Sequence, residues 1–283
     1  MHQKVAITSR SREGGHVRFL IHSIISQADS NGIISSGRPY SRFAAVLVLL
    51  YEKNGELRVL LTTRAKTMRS HPGQTALPGG KVDDTDVDAI AAAYREANEE
   101  VGLPLNSPHI HTLCQLRPFT SSSKLVVTPV VALLTDLSLL DKLQRSENEV
   151  DRIFDHPLEA ILDPPLAAKE PLVELGSDDW FYKSSEFHGS DYHNWTDVTV
   201  PWLGNTGYRM HRFRASASPI KGLTAEILIM TASIAYNRLP TYEHFAPNQL
   251  TKFVDILQYL DAAHAMVTEQ SGTSTPIGIS GSS

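Results

Sequence analysis

The stretch Gly79–Leu103, GGKVDDTDVDAIAAAYREANEEVGL, constrains this chain more than any other. Pro78-Gly79-Gly80 punctuates the backbone, because glycine admits the conformations a tight loop needs. Thr85-x-x-Asp88 has the form of a capping box with Asp in place of Glu, which predicts a helix starting near Asp86. Ile90, Tyr94, Ala97 and Val101 supply its apolar stripe, and Gly102 and Pro104 end it. Glu96, Glu99 and Glu100 fall at i, i+3 and i+4, so they share a face rotated from the apolar one. Three like charges on one stripe weaken a helix that has no use for them. A divalent cation reverses that cost, since hard cations prefer carboxylate oxygens.

The rest of the composition mainly excludes. With 283 residues, 41% of them hydrophobic, the chain can bury a sizeable core. A net charge of −5 and a pI of about 6.2 argue against non-specific nucleic-acid binding. Cys114 is the only cysteine, so no intrachain disulfide forms; a small apolar strand residue is its expected use. No apolar run approaches the ~20 residues of a membrane span. The twelve histidines form no H-E-x-x-H pattern, and there is no Walker loop, G-x-S-x-G elbow or cysteine pair.

Periodicity divides the chain. Residues 1–40 read as an extension with an amphipathic helix at 16–27. Phe43–Tyr51 and Arg58–Thr63, joined at Asn54-Gly55, read as a hairpin, and Ile110–Leu116 and Leu125–Leu134 as further strands. Residues 163–205, rich in Pro, Asp, Ser and Gly, read as an irregular insertion. Thr206–Arg214 is a predicted strand and Leu223–Asn237 a helix. The expected boundaries are a domain over 41–247, a C-terminal helix over 248–269 and a disordered tail over 270–283.

The 79–103 segment resembles the signature of the Nudix hydrolases, G-x5-E-x7-R-E-U-x-E-E-x-G-U with U aliphatic. Its second half, Arg95 to Leu103, matches at every fixed position. In the first half Asp86 stands where the family has Glu, and eight residues rather than seven separate it from Arg95. The resemblance implies an α/β/α sandwich with a mixed sheet, to which the terminal helices are additions. It implies hydrolysis of a nucleoside diphosphate derivative with Mg²⁺ or Mn²⁺ held by Glu96, Glu99 and Glu100. Arg95 would hold one of these carboxylates by a bidentate contact, and Gly79 or Gly80 would offer a backbone carbonyl. For the general base the candidates are a box glutamate, Glu99 or Glu100, or a later acid among Glu147, Glu149 and Asp151. Glu149 is favoured, since Glu149-Val150 precedes Phe154 and Pro157-Leu158 in the family's manner.

Upstream, Leu60-Leu61-Thr62-Thr63-Arg64-Ala65, Arg69, Gly73 and Pro78-Gly79-Gly80 resemble the pattern of the coenzyme A diphosphatase branch, L-L-T-x-R-[SA]-x3-R-x3-G-x3-F-P-G-G, with Leu77 in place of Phe. Ile220–Ala225 resembles a later stretch of the same branch. This implies coenzyme A, free, acylated or oxidised, as substrate, with Arg64, Arg69, Gly79 and Gly80 binding it. The alternatives are another Nudix substrate (8-oxo-dGTP, ADP-ribose, NADH) or a binding protein without turnover. The expected partners are the small molecule alone, with no nucleic acid or membrane, in a monomer or homodimer. The family's frequent address is the peroxisome, yet the chain ends Gly281-Ser282-Ser283 without the usual signal, which leaves mitochondrial or cytoplasmic placement open.

Overall fold

A computed structural model of the chain describes residues 42–182 and 187–271. The expected helix at 16–27 and the tail beyond Ser271 lie outside the described residues. The elements in chain order are β1 (Phe43–Lys53), β2 (Glu56–Arg64), β3 (Thr75–Ala76), β4 (Gly79–Lys81), α1 (Ala89–Val101), β5 (Ile110–Gln115), β6 (Phe119–Thr120), β7 (Val126–Leu134), β8 (Val150–Pro157), β9 (His188–Gly189), β10 (His193–Val200), β11 (Thr206–Phe213), β12 (Ile220–Lys221), α2 (Gly222–Tyr236) and α3 (Phe253–Ser271). Short 3₁₀ turns connect several of them.

Strand β1 organises the main sheet. It pairs in parallel with β7 from Phe43↔Val126 to Tyr51↔Leu134. Its other edge is shared: Leu50–Lys53 pair with β2, and Ala44–Val46 pair with β4. Strand β2 passes on to β8 and β3, while β5 and β6 pair with β7. One parallel pair in an otherwise antiparallel ladder makes the sheet mixed, as expected. All nine residues of β7 are buried, which requires cover on both faces.

Alternation along β1 and β7 sorts side chains to the two faces. Ala45, Leu47, Leu49, Val130 and Ala132 pack with Ala89, Ala92, Ala93, Ala97 and Val101 of α1. Val48, Leu50, Val131 and Leu133 pack with Ala225, Leu228, Ile229 and Ala232 of α2. The α1 contact is narrower than its stripe implied. Alanines carry it, and Ile90 and Tyr94 are only partly buried at its edge.

The expected irregular insertion contains two strands. A second sheet has the order β12-β11-β10-β9, so β9 and β10 lie within 163–205. The sequence hides β10 because five of its eight residues, His193, Asn194, Thr196, Asp197 and Thr199, are polar. The chain divides into two compact units, Met1–Thr196 with Met210–His244 and Asp197–Arg209 with Phe245–Ser283. Within the second unit, Arg209 donates two hydrogen bonds to Asp197 and Gln249 Oε1 accepts from the Arg209 and Ala246 N–H groups.

A buried ion cluster joins β1, β2 and β8 in the first unit. Arg58 is 8% exposed. It donates to both Asp155 and Glu170, with Nη2 at 2.6 Å from each, and the Tyr51 hydroxyl donates to Asp155 at 2.6 Å. Burial works to raise the Asp155 carboxyl, but the Tyr51 and Arg58 hydrogen bonds hold it below its ordinary value. Arg58 holds Glu170 below its own. Both folded-state values are depressed, so this stabilisation is present above the usual carboxylate range of about 4 and is lost as pH falls through the depressed values. Arg58→Met keeps the bulk and removes the cation, leaving two carboxylates facing each other. We expect a loss of about 3 kcal/mol at neutral pH. In urea denaturation the deficit relative to the parent shrinks as pH falls below about 4, through the depressed values, and a constant deficit there would contradict this account.

Candidate active site

Strand β4 sits against β1, with Val46 opposite Gly79 and Ala45 opposite Gly80. A Cβ at Gly79 would collide with the Ala45 carbonyl and Val46, and its φ of 153° suits glycine. A Cβ at Gly80 would collide with the Glu96 carboxylate. The two glycines therefore let α1 bring its acids onto bare backbone.

Helix α1 starts later than the capping-box reading implied. Asp88 is its N-cap and accepts from the Ala91 N–H at 2.8 Å. Gly102, at φ 69°, closes the C-terminus with its N–H directed to the Ala97 and Asn98 carbonyls.

The three glutamates occupy graded environments. Glu99 has a side chain 52% exposed, that of Glu96 is 19% exposed, and Glu100 is buried. Glu100 Oε2 accepts from the Gly79 N–H at 3.2 Å. Burial pushes the Glu100 carboxyl up to about 8; the Gly79 N–H and Arg64 oppose that rise, and Glu96 and Glu149 add to it. Burial also raises Glu96, with Arg95 opposing and Glu99 and Glu149 adding.

Arg95 makes its bidentate contact with Asp86, not with a box glutamate. Nε lies 3.0 Å from Oδ1 and Nη2 2.9 Å from Oδ2. Its remaining donors reach Glu99 Oε2 at 3.0 Å and the Lys81 carbonyl at 3.1 Å, and Glu96 Oε1 lies at 3.2 Å. The Asp86 carboxyl is held below its ordinary value chiefly by the Arg95 hydrogen bonds. The sequence departure at this position is thus coherent: Asp is one methylene shorter than Glu, and the extra residue before Arg95 accompanies a side chain that still meets the guanidinium.

Two more expected residues converge here. Strand β2 ends at Arg64, whose Nε donates to the Ser70 carbonyl at 3.3 Å and whose backbone closes the 65–74 loop through Gln74 and Gly73. Gly73 takes φ 68°, which accounts for a glycine there. The Ala65 N–H donates to the Glu149 carbonyl at 2.8 Å, and the Ser146 N–H to the Glu100 carbonyl at 2.8 Å. These bonds bring the 146–149 turn beside the C-terminal end of α1, so Glu149 joins Glu96 and Glu100 electrostatically. Arg69 is exposed on the 65–74 loop, and Glu147 and Asp151 are exposed beside Glu149. The sequence reading missed Asp86 as the principal partner of Arg95 and the Lys81 carbonyl as a further acceptor. The G-x5-D spacing carried the only signal for the first.

The donor set is all oxygen: three carboxylates and the nearby glycine backbone. Such a set fits a hard divalent cation, whose charge would offset the burial and the acidic neighbours that raise Glu96 and Glu100.

Comparison with known proteins points to one family. Residues 41–175 match the family model described as the NUDIX domain. The chain is 34% identical over 205 residues to Nudix hydrolase 15, mitochondrial, of Arabidopsis thaliana, covering 72% of this chain and 62% of that protein. It is 34% identical over 206 residues to Nudix hydrolase 22, chloroplastic, of the same plant, covering 72% and 59%. It is 35% identical over 147 residues to the peroxisomal coenzyme A diphosphatase NUDT7 of Mus musculus, covering 50% and 60%. The chain spans about three fifths of the length of these curated relatives. Among the described residues no helix is long and apolar enough to cross a membrane. Residues 41–175 of this chain are a NUDIX domain.

Proposed function

We propose that this chain hydrolyses the diphosphate of coenzyme A, or of an acylated or oxidised derivative, to 3′,5′-ADP and the 4′-phosphopantetheine portion. The observation that carries the reading is the position of Arg64. Arg64, the arginine of the L-L-T-T-R-A motif and the last residue of β2, lies within electrostatic reach of Glu100, beside the box carboxylates and Glu149. A coenzyme A diphosphatase among the relatives supports the same substrate class.

Glu96, Glu99 and Glu100 would hold Mg²⁺ or Mn²⁺, which neutralises phosphoryl charge and acidifies water when bound. Arg95 keeps Glu96 and Glu99 oriented while anchored on Asp86. Glu149 accepts the proton of the attacking water from the turn beside Glu100. Arg64 offers a forked donor to a substrate phosphate, with Arg69 nearby on the same loop. The glycine backbone of β4 lets the diphosphate approach without side-chain obstruction.

Purified protein incubated with coenzyme A and Mg²⁺ or Mn²⁺ releases 3′,5′-ADP on this reading, and chelation stops it. No release from coenzyme A alongside turnover of 8-oxo-dGTP, ADP-ribose or NADH sinks the substrate assignment and keeps the hydrolase. No turnover of any of them sinks both. Glu99→Gln lowers kcat by orders of magnitude without lowering the melting temperature, and near-normal turnover at saturating Mg²⁺ would refute its role. Arg64→Ala raises KM for coenzyme A by about 10–100-fold, the loss of one charge-assisted contact. Asp86→Asn releases Arg95 and weakens Mg²⁺ activation by about 10–100-fold, read from the metal dependence of the rate. An unchanged metal dependence would show that the Arg95 clamp is not needed.

A further inference from the structure

We propose that His211, Glu226 and His244 form a second metal site, of nitrogen-rich character, that takes Zn²⁺ or a closely related transition metal. All three belong to the first compact unit and come from distant parts of the chain: β11, α2 and the segment after Tyr242. Each offers one ligand atom, and these atoms lie within 4.8 Å of one another.

The donor chemistry differs from that of α1. Two imidazoles and one carboxylate suit zinc and its neighbours, whereas Mg²⁺ prefers oxygen alone. Tetrahedral ligands about 2.0–2.2 Å from zinc are about 3.4 Å apart, so a donor pair at the 4.8 Å limit would close by about 1.4 Å at most. His244 and Glu226 are already near, with Nε2 3.4 Å from Oε2.

Glu226 supplies an independent observation. The residue is 9% exposed, and its Oε1 is buried without a hydrogen-bond partner. A buried carboxylate oxygen left unpartnered carries a desolvation penalty, which a cation removes. Arg117 and Tyr242 feel the Glu226 charge, but neither supplies a hydrogen bond to Oε1.

The surroundings suit an imidazole ligand. His211 Nε2 lies 2.7 Å from the His244 carbonyl oxygen, which can only accept, so this nitrogen carries the proton. His211 Nδ1 lies 2.9 Å from His193 Nε2. The unprotonated Nδ1 is therefore the nitrogen that would turn from His193 to the ion, while Nε2 keeps the His244 carbonyl that fixes the ring, as metal-bound histidines require. Phe213 and Tyr242 stack around His193 and His211, giving an apolar wall on one side. His244 is partly exposed, which opens a route for the ion. A bound ion would tie α2 to β11 and to the 242–244 segment, with a fourth position left for water.

The test uses the full chain carrying Glu96→Gln and Glu99→Gln, so that α1 does not hold the ion. After chelation and dialysis the protein is titrated with Zn²⁺ and, separately, with Co²⁺ as a spectroscopic probe. The expected result is one Zn²⁺ per chain, a higher melting temperature, and visible Co²⁺ absorption of a low-coordinate site, with no comparable effect of Mg²⁺. Glu226→Gln, close in shape to the parent, and His244→Ala each remove the bound ion and the absorption. Circular dichroism checks that both variants fold, and Glu226→Gln alone decides the matter if His244→Ala does not. Absence of Zn²⁺ binding, or binding indifferent to Glu226→Gln, overturns the proposal.

Discussion

The close approach of a glycine strand to both β1 and α1 is the constraint on which the site depends. Gly79 faces the Ala45 carbonyl and Gly80 faces the Glu96 carboxylate, at separations that leave no room for a Cβ. This approach delivers the Gly79 N–H to Glu100 and the Lys81 carbonyl to Arg95. It also depends on α1 lying close to the sheet, and the alanines at 89, 92, 93 and 97 permit that. Larger side chains there would lift the helix and withdraw its acids from β4. The small residues of α1 and the glycines of β4 therefore serve one geometric end.

Crowding the acids has an electrostatic cost that the fold offsets only in part. Arg95 touches Asp86, Glu96 and Glu99, but not Glu100. The Gly79 N–H and Arg64 favour the charged form of Glu100, and burial with its acidic neighbours outweighs them. The carboxylate face thus retains an unmet demand for positive charge where a hard cation would bind. Asp86 plays a different part. Its oxygens are committed to Arg95 and the Asp83 N–H, so it buttresses the guanidinium.

Much of this was legible in the sequence because it rests on local spacing. The i, i+3, i+4 glutamates, the glycine pair and the Gly102 stop each follow from a few adjacent residues, and the hairpin at Asn54-Gly55 declares its turn. Other features depended on distant partners. The helix start moved to Asp88 because Thr85-x-x-Asp88 matches a capping box in form, while the observed cap is the Asp88 side chain on the Ala91 N–H. Pattern favoured Glu149 over Glu147 and Asp151, but its place beside Glu100 comes from Ala65 and Ser146 backbone bonds formed only in the folded chain. Strand β10 was hidden by polar residues on a short strand of a small second sheet. The His211, Glu226 and His244 cluster leaves no sequence signature, because successive members are 15 and 18 residues apart on separate elements.

Helices α1 and α2 cover opposite faces of one sheet, and the surroundings of their acids assign them different chemistry. On α1 the acids lie against a glycine strand whose Gly79 N–H bonds Glu100, so the donors available to a cation are hard oxygens. On α2 the acid meets imidazoles held by aromatic stacking, so the available donors are mostly nitrogen. Affinity for divalent ions follows donor type. A cell's excess of magnesium would therefore satisfy the first set without competing strongly for the second. The sheet keeps these donor sets apart: alternation along β1 and β7 sends one group of side chains to α1 and the other to α2. A one-residue slip in the β1–β7 register would exchange those faces and dismantle both clusters. The continuous parallel pairing from Phe43 to Tyr51 fixes that register, so the same strand that seats the glycines also keeps the two chemistries on their own sides.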